Sequence, residues 1–377
     1  MSRNFVRLAT SVAVCLSVSA CALPRGAALQ SEVLEKSSSQ TPELATYPVT
    51  RDFLPRVVNW PMTGNPPSAN WPKSSGGASG QIIAPGDTID LVVWESGDNG
   101  LLAAPGQRGT PLKSSVVSPD GKLFVPYIGP VKVSGMSPDH AREVIQTKLE
   151  PLVPSPQVQL NATPGRQNSI DLVGGVGMPG SFPMVDRSLT ILGLLSRGGG
   201  ASSAIANPQV SLHRGGKVYH NSLDRILNNP ALDTTLRAGD KVIVEKDKRQ
   251  FVALGATGSQ TLVPFPKDHV SALEALSLAG GLSATRADPG GVLILREYAP
   301  KAVVTGADAG ITGPANTRVV FTIDLTSADG LFSAGKFMVQ PQDVVLATES
   351  PISDTRTILS LLGLSFGVIN AGNSATD

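Results

Sequence analysis

The feature that most restricts the fold of this 377-residue chain is an internal repeat in its second half. The run DLVGGVGMPGSFP at 171–183 has a counterpart in FVALGATGSQTLVP at 251–264. Each run leads into a short amphipathic helix pattern, Leu189–Arg197 or Val270–Leu278, that stops at consecutive glycines. The repeat therefore predicts two tandem copies of one small fold. We place the two β-grasp-sized modules at 166–248 and 249–350.

A smaller α+β unit precedes the modules at 81–165. A turn at 85–87 (PGD) leads into an apolar strand that ends near Trp94. The turn at 119–121 (PDG) then predicts a hairpin between the strands on either side of it. Ser137 is placed to cap an amphipathic helix that follows. The fold class we predict is therefore α+β and multidomain.

The first 20 residues have the pattern of a secretory signal peptide. Arg3 and Arg7 precede a charge-free apolar run from Leu8 to Val18. That run is about 11 residues long, whereas a membrane-spanning helix needs about 20. The segment 1–20 therefore predicts export and removal.

The cleavage region at 18–21 (VSAC) resembles the lipobox of bacterial lipoproteins. We expect cleavage before Cys21 and lipid on that cysteine, with Ala22 directing sorting to the outer membrane. The alternative is an ordinary signal peptide with a chance cysteine. Cys15, the other of the two cysteines, lies in the removed segment, so no intramolecular disulfide is expected in the mature chain.

Two segments lack a sustained apolar pattern. Residues 21–80 are rich in proline, serine and glycine, and we predict an extended N-terminal strap that buries little surface. An insertion near 305–316 in the second module is rich in glycine, alanine and threonine, and we predict a mobile surface loop.

Charge and motif content argue against nucleic-acid binding and against enzymatic activity. The 31 basic and 30 acidic residues are balanced and form no basic run. The GxGxxG match at 175–180 contains a proline that blocks the required helix, so we predict a hairpin turn. The GxSxG match at 363–367 has no histidine after it. The four histidines are scattered, so neither a metal site nor a cofactor is expected.

The C-terminal segment 351–377 predicts an amphipathic helix from about 353 to 370. Its apolar residues gather on one broad side, and a ring of such helices could turn a polar stripe toward a water-filled lumen. A helix docked on the protein's own core, a helix in the membrane surface and a single span are alternatives. The candidate pore-lining residues are Arg356, Ser360, Gly363, Gly367 and Asn370.

The order of these parts resembles the Wza-type outer-membrane polysaccharide export proteins. The motifs at 84–87 (APGD), 118–121 (SPDG), 125–129 (VPYIG) and 133–136 (VSGM) are similar to those of their polysaccharide export domain. The two repeats are similar to their soluble-ligand-binding β-grasp (SLBB) modules. The resemblance covers nearly all of the mature chain.

The resemblance implies a function, a location and partners. It implies a lipid-anchored outer-membrane protein, mostly periplasmic, that forms a homo-oligomeric ring, often eightfold, for passive export of capsular polysaccharide or exopolysaccharide. The implied partners are the polysaccharide, outer-membrane lipid and an inner-membrane co-polymerase or ABC transporter. On this expectation the lipid holds one end of each subunit and the other end crosses the membrane.

Two alternatives remain from other classes. A periplasmic ligand-binding lipoprotein would use the β-grasp modules without forming a pore and would be monomeric in mild detergent. A polysaccharide-modifying enzyme would need a clustered pair of carboxylates.

Overall fold

The computed structural model describes residues 26–35, 44–64, 70–74, 80–95 and 109–351. Short helices and many strands alternate along this part of the chain, which confirms the α+β, multidomain prediction. The described residues divide into two compact units: one comprises those between 66 and 247 together with 266–268, and the other comprises the rest. The N-terminal elements are α1 (Gln30–Leu34), β1 (Ala45–Pro48) and α2 (Leu54–Val57).

The unit at 81–165 consists of a three-stranded antiparallel sheet in the order β3-β2-β6, a separate β4-β5 hairpin and one helix. Helix α3 begins as its sequence predicts, because the Ser137 hydroxyl accepts a 3.2 Å bond from the His140 amide. Its apolar face buries Ala141, Ile145 and Leu149 in the core of this unit. The elements are β2 (Thr88–Trp94), β3 (Gly109–Val116), β4 (Lys122–Val125), β5 (Gly129–Lys132), α3 (Pro138–Leu149) and β6 (Gln157–Thr163).

The turn at 119–121 does not join paired strands, so the predicted hairpin is wrong. It connects β3 to β4, but β3 pairs with β2 and β4 pairs with β5. The hairpin turn lies later, where Tyr127 and Gly129 have φ angles of 70° and 73°. A turn motif determines where the chain reverses, whereas pairing also depends on strands farther away in the sequence.

The first β-grasp module has a five-stranded sheet in the order β10-β9-β11-β7-β8. Strands β7 and β11 are parallel neighbours, and the remaining pairs are antiparallel. The antiparallel β7-β8 pair confirms that the GxGxxG match at 175–180 is a hairpin connection. The elements are β7 (Ser169–Gly174), β8 (Gly180–Pro183), α4 (Ile191–Arg197), β9 (Gln209–Arg214), β10 (Lys217–Ser222), α5 (Leu223–Asn228) and β11 (Lys241–Glu245).

The second module repeats this topology and adds one strand. Its sheet has the order β1-β16-β15-β18-β12-β13, in which the last five strands correspond one by one to the first module's sheet. The extra edge strand β1 comes from the N-terminal segment. The elements are β12 (Gln250–Gly255), β13 (Thr261–Pro264), β14 (Val270–Ser271), α6 (Ala272–Leu278), β15 (Ala287–Glu297), β16 (Arg318–Ile323), α7 (Ala328–Ala334), β17 (Met338–Val339) and β18 (Val344–Glu349).

A close glycine contact recurs in both modules. A Cβ on Gly177 would lie 3.1 Å from the carbonyl oxygen of Gly199, and a Cβ on Gly258 would meet the Gly280 carbonyl still more closely. The amide of Gly177 donates to the Gly200 carbonyl at 3.1 Å, and the equivalent second-module bond is 2.9 Å. Gly177 and Gly258, within the β7-β8 and β12-β13 connections, therefore let these connections approach the backbone at the end of each helix.

The N-terminal segment is part of the second module's core, contrary to the expectation that it buries little surface. Strand β1 pairs in parallel with β16, with Tyr47 opposite Phe321. Phe53 stacks on Tyr47 with ring centroids 5.3 Å apart, and Trp60 lies edge-on to Phe53 at 5.6 Å. Phe53 and Trp60 are buried. These aromatic residues follow no helix or strand period, so their burial depends on a distant partner surface.

The insertion near 305–316 is held by the same aromatic residues. The Trp60 indole donates to the Ile311 carbonyl at 3.2 Å, and the Tyr47 hydroxyl accepts from the Ala315 amide at 3.2 Å. The loop lies on the surface, as the sequence predicts, but it is anchored at two points by the N-terminal segment.

Candidate functional site

The residues to which the sequence assigns function lie outside the described part of the chain. This applies to Cys21 and to the candidate pore-lining positions Arg356, Ser360, Gly363, Gly367 and Asn370. Their roles stay predictions. No described helix is long and apolar enough to cross a bilayer.

The described structure nevertheless locates the points where these segments join the fold. The Glu349 amide donates to the Ala28 carbonyl at 3.2 Å. Beside this contact, the Ser350 amide donates to the Arg286 carbonyl at 2.8 Å, and the Arg286 guanidinium lies 3.4 Å from the Glu349 carboxylate. The first and last described residues of the chain are therefore close together on one side of the second module.

The distance to the predicted lipid attachment site is limited by chain length. Four residues lie between Cys21 and Gly26, the first described residue, and the five Cα-to-Cα steps span at most about 18 Å when extended. The C-terminal segment begins directly after Pro351. The described residues nearest in sequence to the two predicted membrane attachments thus lie in one place. We name this region, defined by Ala28, Arg286 and Glu349, the attachment end.

Two grooves lie along the N-terminal segment next to the attachment end. The larger has a volume of about 300 Å³ and is lined by Gln30 and Thr50 on one side and by Asp324 and Asp329 on the other. Bonds from Thr326 lower the pKa of the Asp324 carboxyl below its usual value. The smaller groove, about 190 Å³, shares Asp329 with the larger one and exposes Phe332. Asp329 therefore lies where the two grooves meet.

One buried aspartate turn recurs three times and explains the PGD motif and its relatives. Asp87, Asp240 and Asp343 each accept a bond of 2.7–2.8 Å from the amide three residues earlier. Asp87 also accepts from the Gly165 amide at 2.7 Å, which joins the start and end of the 81–165 unit. Because these carboxylates are buried and satisfied within their own units, we assign them a structural role rather than a ligand-binding one.

Each module pairs its turn aspartate with an arginine. Arg214 contacts Asp240 through Nε at 2.9 Å, and Arg296 contacts Asp343 through Nε at 2.9 Å and Nη2 at 2.7 Å. Burial alone would lower the pKa of Arg296, but the adjacent Asp343 carboxylate outweighs it and raises that pKa. Arg296 therefore stays charged inside the second module.

Sequence reasoning missed the exposed apolar side chains. Phe124 and Tyr127 on the β4-β5 hairpin are 66% and 58% exposed, and Phe332 on α7 is 71% exposed. Each of these residues lies in a short strand, turn or helix, and the local sequence pattern does not show which face of that element is buried. Within the described residues, no three histidine, cysteine, aspartate or glutamate side chains are grouped closely enough to hold a metal ion.

Comparison with known proteins finds one family match and several relatives. Residues 76–163 match the family model of polysaccharide biosynthesis/export proteins. The chain is 24% identical to the capsule polysaccharide export outer membrane protein CtrA of Neisseria meningitidis, with 87% of each chain covered. It is 24% identical to the capsule polysaccharide export protein BexD of Haemophilus influenzae, covering 100% of this chain and 98% of BexD.

A third relative extends the comparison beyond capsules. The EPS I polysaccharide export outer membrane protein EpsA of Ralstonia solanacearum is 28% identical over 74% of each chain. Because the match to CtrA covers 87% of the chain, it includes the 81–165 unit and reaches into both modules. The resemblance drawn from the motifs is confirmed: residues 76–163 match the model of polysaccharide biosynthesis/export proteins, and the chain is similar over most of its length to outer-membrane polysaccharide export proteins.

Proposed function

We propose that this protein is the outer-membrane subunit of an apparatus that exports capsular polysaccharide or exopolysaccharide from the periplasm to the cell surface. The observation that carries the proposal is similarity to proteins of this role over 87% or more of the chain in two of the relatives. Lipid on Cys21 and the C-terminal segment hold the protein in the membrane. Most of its mass, in the 81–165 unit and the two modules, lies in the periplasm.

Export proceeds by passive conduction through a homo-oligomeric ring that works with an inner-membrane co-polymerase or ABC transporter. The contact between Ala28 and Glu349 supports attachment of both terminal segments to the outer membrane, because a lipid and a C-terminal helix can then reach the same bilayer. A C-terminal helix lines the pore with the polar stripe Arg356, Ser360, Gly363, Gly367 and Asn370. No bond is made or broken in the polymer.

Deletion of residues 353–377 tests the pore assignment. The deletion begins after the last described residue, so it removes no contact seen in the structure. We expect a lipidated protein present in the outer membrane at normal level, loss of surface polysaccharide and accumulation of polymer inside the cell. Normal surface polysaccharide after the deletion would contradict the pore assignment.

Electron microscopy of the detergent-extracted protein separates the proposal from its alternative. A ring with a central channel is the expected particle. A monomer in mild detergent, with surface polysaccharide unchanged on deletion of the gene, would instead indicate a periplasmic ligand-binding lipoprotein.

A further inference from the structure

An adjacent pair of apolar side chains is exposed on helix α7 of the second module. Phe332 is 71% exposed and Leu331 is 45% exposed, although the same helix buries Ser333 and Ala334. Removing the surface of a phenylalanine side chain from water is favourable. The pair is therefore suited to burial against a partner surface.

Two cations flank the pair. Arg51 and Lys336 line the same groove as Phe332, and the Arg51 side chain is 84% exposed. The one acid in this lining, Asp329, lies 4.0 Å from the Arg51 guanidinium, a distance at which an exposed ion pair is weak. We call Arg51, Leu331, Phe332 and Lys336 the Phe332 patch.

Two adjoining grooves lead from the Phe332 patch toward the attachment end. Its groove shares Asp329 with the larger groove, which Gln30 also lines, and Gln30 is two residues from the Ala28 carbonyl that bonds to Glu349. Cys21 lies at most about 18 Å of chain from Gly26. A lipid on that cysteine would bring the bilayer surface close to this side of the module.

We propose that the Phe332 patch is a membrane contact, seated in the headgroup layer of the periplasmic leaflet. Phe332 and Leu331 enter the boundary between headgroups and acyl chains, and Arg51 and Lys336 bind the phosphates of anionic lipid. This combination of apolar side chains and flanking cations is the chemistry of interfacial membrane binding. The inference rests on the proposed function, because it takes the lipid on Cys21 as the neighbouring anchor.

The test uses the full, lipidated chain reconstituted in vesicles of phosphatidylethanolamine with and without phosphatidylglycerol. Because Cys15 is removed and Cys21 is acylated, Leu331→Cys introduces the only free thiol for a fluorescent label. Leu262→Cys is the matched control, since Leu262 is 52% exposed on β13, at the opposite edge of the sheet from β1. Wild-type protein treated with the same thiol reagent checks acylation independently, because a Cys21 without lipid would take the label.

We expect quenchers attached to lipid headgroups to quench the label at 331 at least about fivefold more than the label at 262, as for a side chain at the interface. Adding Phe332→Ala, or Arg51→Gln with Lys336→Gln in anionic vesicles, should reduce that difference. Equal quenching of both labels by aqueous iodide would overturn the proposal. So would a label at 331 shielded from both quenchers, which would place the patch between subunits instead. Acidic polysaccharide that shifts the label while lipid does not would identify a glycan site.

Discussion

Arg296 and Asp343 form a two-point ion pair in the second module, and each side chain is only 1% exposed. The guanidinium also donates to the Met338 carbonyl at 2.9 Å and lies 5.1 Å from the centre of the Phe321 ring. The pair thus ties the turn before β18 to the aromatic core. Removing one charge would leave the other buried and uncompensated.

We therefore expect Asp343→Asn to lower the free energy of unfolding of the second module by about 3–5 kcal/mol. Urea denaturation followed by circular dichroism measures the loss. Asp240→Asn is the matched variant in the first module, and it should cost less because Arg214 is 15% exposed and can be partly solvated. If Asp240→Asn lowered the free energy of unfolding by as much as Asp343→Asn or more, the difference in burial would not explain the cost.

Trp60→Ala should release the N-terminal segment from the second module. The indole is buried and contacts Phe53, Tyr47 and Phe321, so its removal should cost about 3–5 kcal/mol. Limited proteolysis should then cut between 44 and 64 faster than in the wild type. Val58→Ala is the control, because Val58 is 76% exposed and its truncation should change stability by no more than about 0.5 kcal/mol.

Gly258→Ala should destabilise the second module more than Gly177→Ala destabilises the first. The added methyl at Gly258 meets the Gly280 carbonyl well inside van der Waals contact, whereas the one at Gly177 is 3.1 Å from its neighbour. A backbone obstacle cannot rotate away, so we expect a loss of about 1–3 kcal/mol at Gly258. Thermal unfolding of the two variants decides the order, and a reversed order would contradict the geometry.

The Asp120 carboxyl should titrate with a pKa of about 2. The pKa is lowered first by the bond from the Ser118 hydroxyl and then by the bond from Lys122. Because the pKa is lowered on folding, the stabilisation of this turn is complete above the ordinary value near 3.8 and is lost as pH falls through about 2. Carbon NMR titration checks this. Ser118→Ala should move the midpoint upward, and a wild-type midpoint near 4 would contradict the bonding.

Local features of the fold could be predicted from the sequence. The cap at Ser137 and the apolar spacing of α3 lie within a dozen residues, and the helix forms where they indicate. The repeat also made the shared strand order foreseeable, because equal patterns bury equal faces. The strand pairing around the turn at 119–121 could not be foreseen, because β3 pairs with β2, which precedes β3 in the sequence, and not with the strand that follows the turn.

The candidate site was less accessible to sequence reasoning. The contact between Ala28 and Glu349 depends on the fold of the whole second module, and no local sequence pattern predicts it. Phe332 and Ala334 lie in one short helix, and only the packed core decides which of them faces solvent. The roles of Cys21 and the C-terminal stripe stay predictions, because those residues lie outside the described part.

The docking of the N-terminal segment sets an order of events for a chain secreted from its N-terminus. Tyr47 leaves the translocation channel early, yet the Ala315 amide that it binds follows 268 residues later. Until then, the aromatic side chains of the segment have no module surface to pack against. Burial of the segment is therefore among the last steps of folding, and a chain terminated before residue 315 cannot complete it.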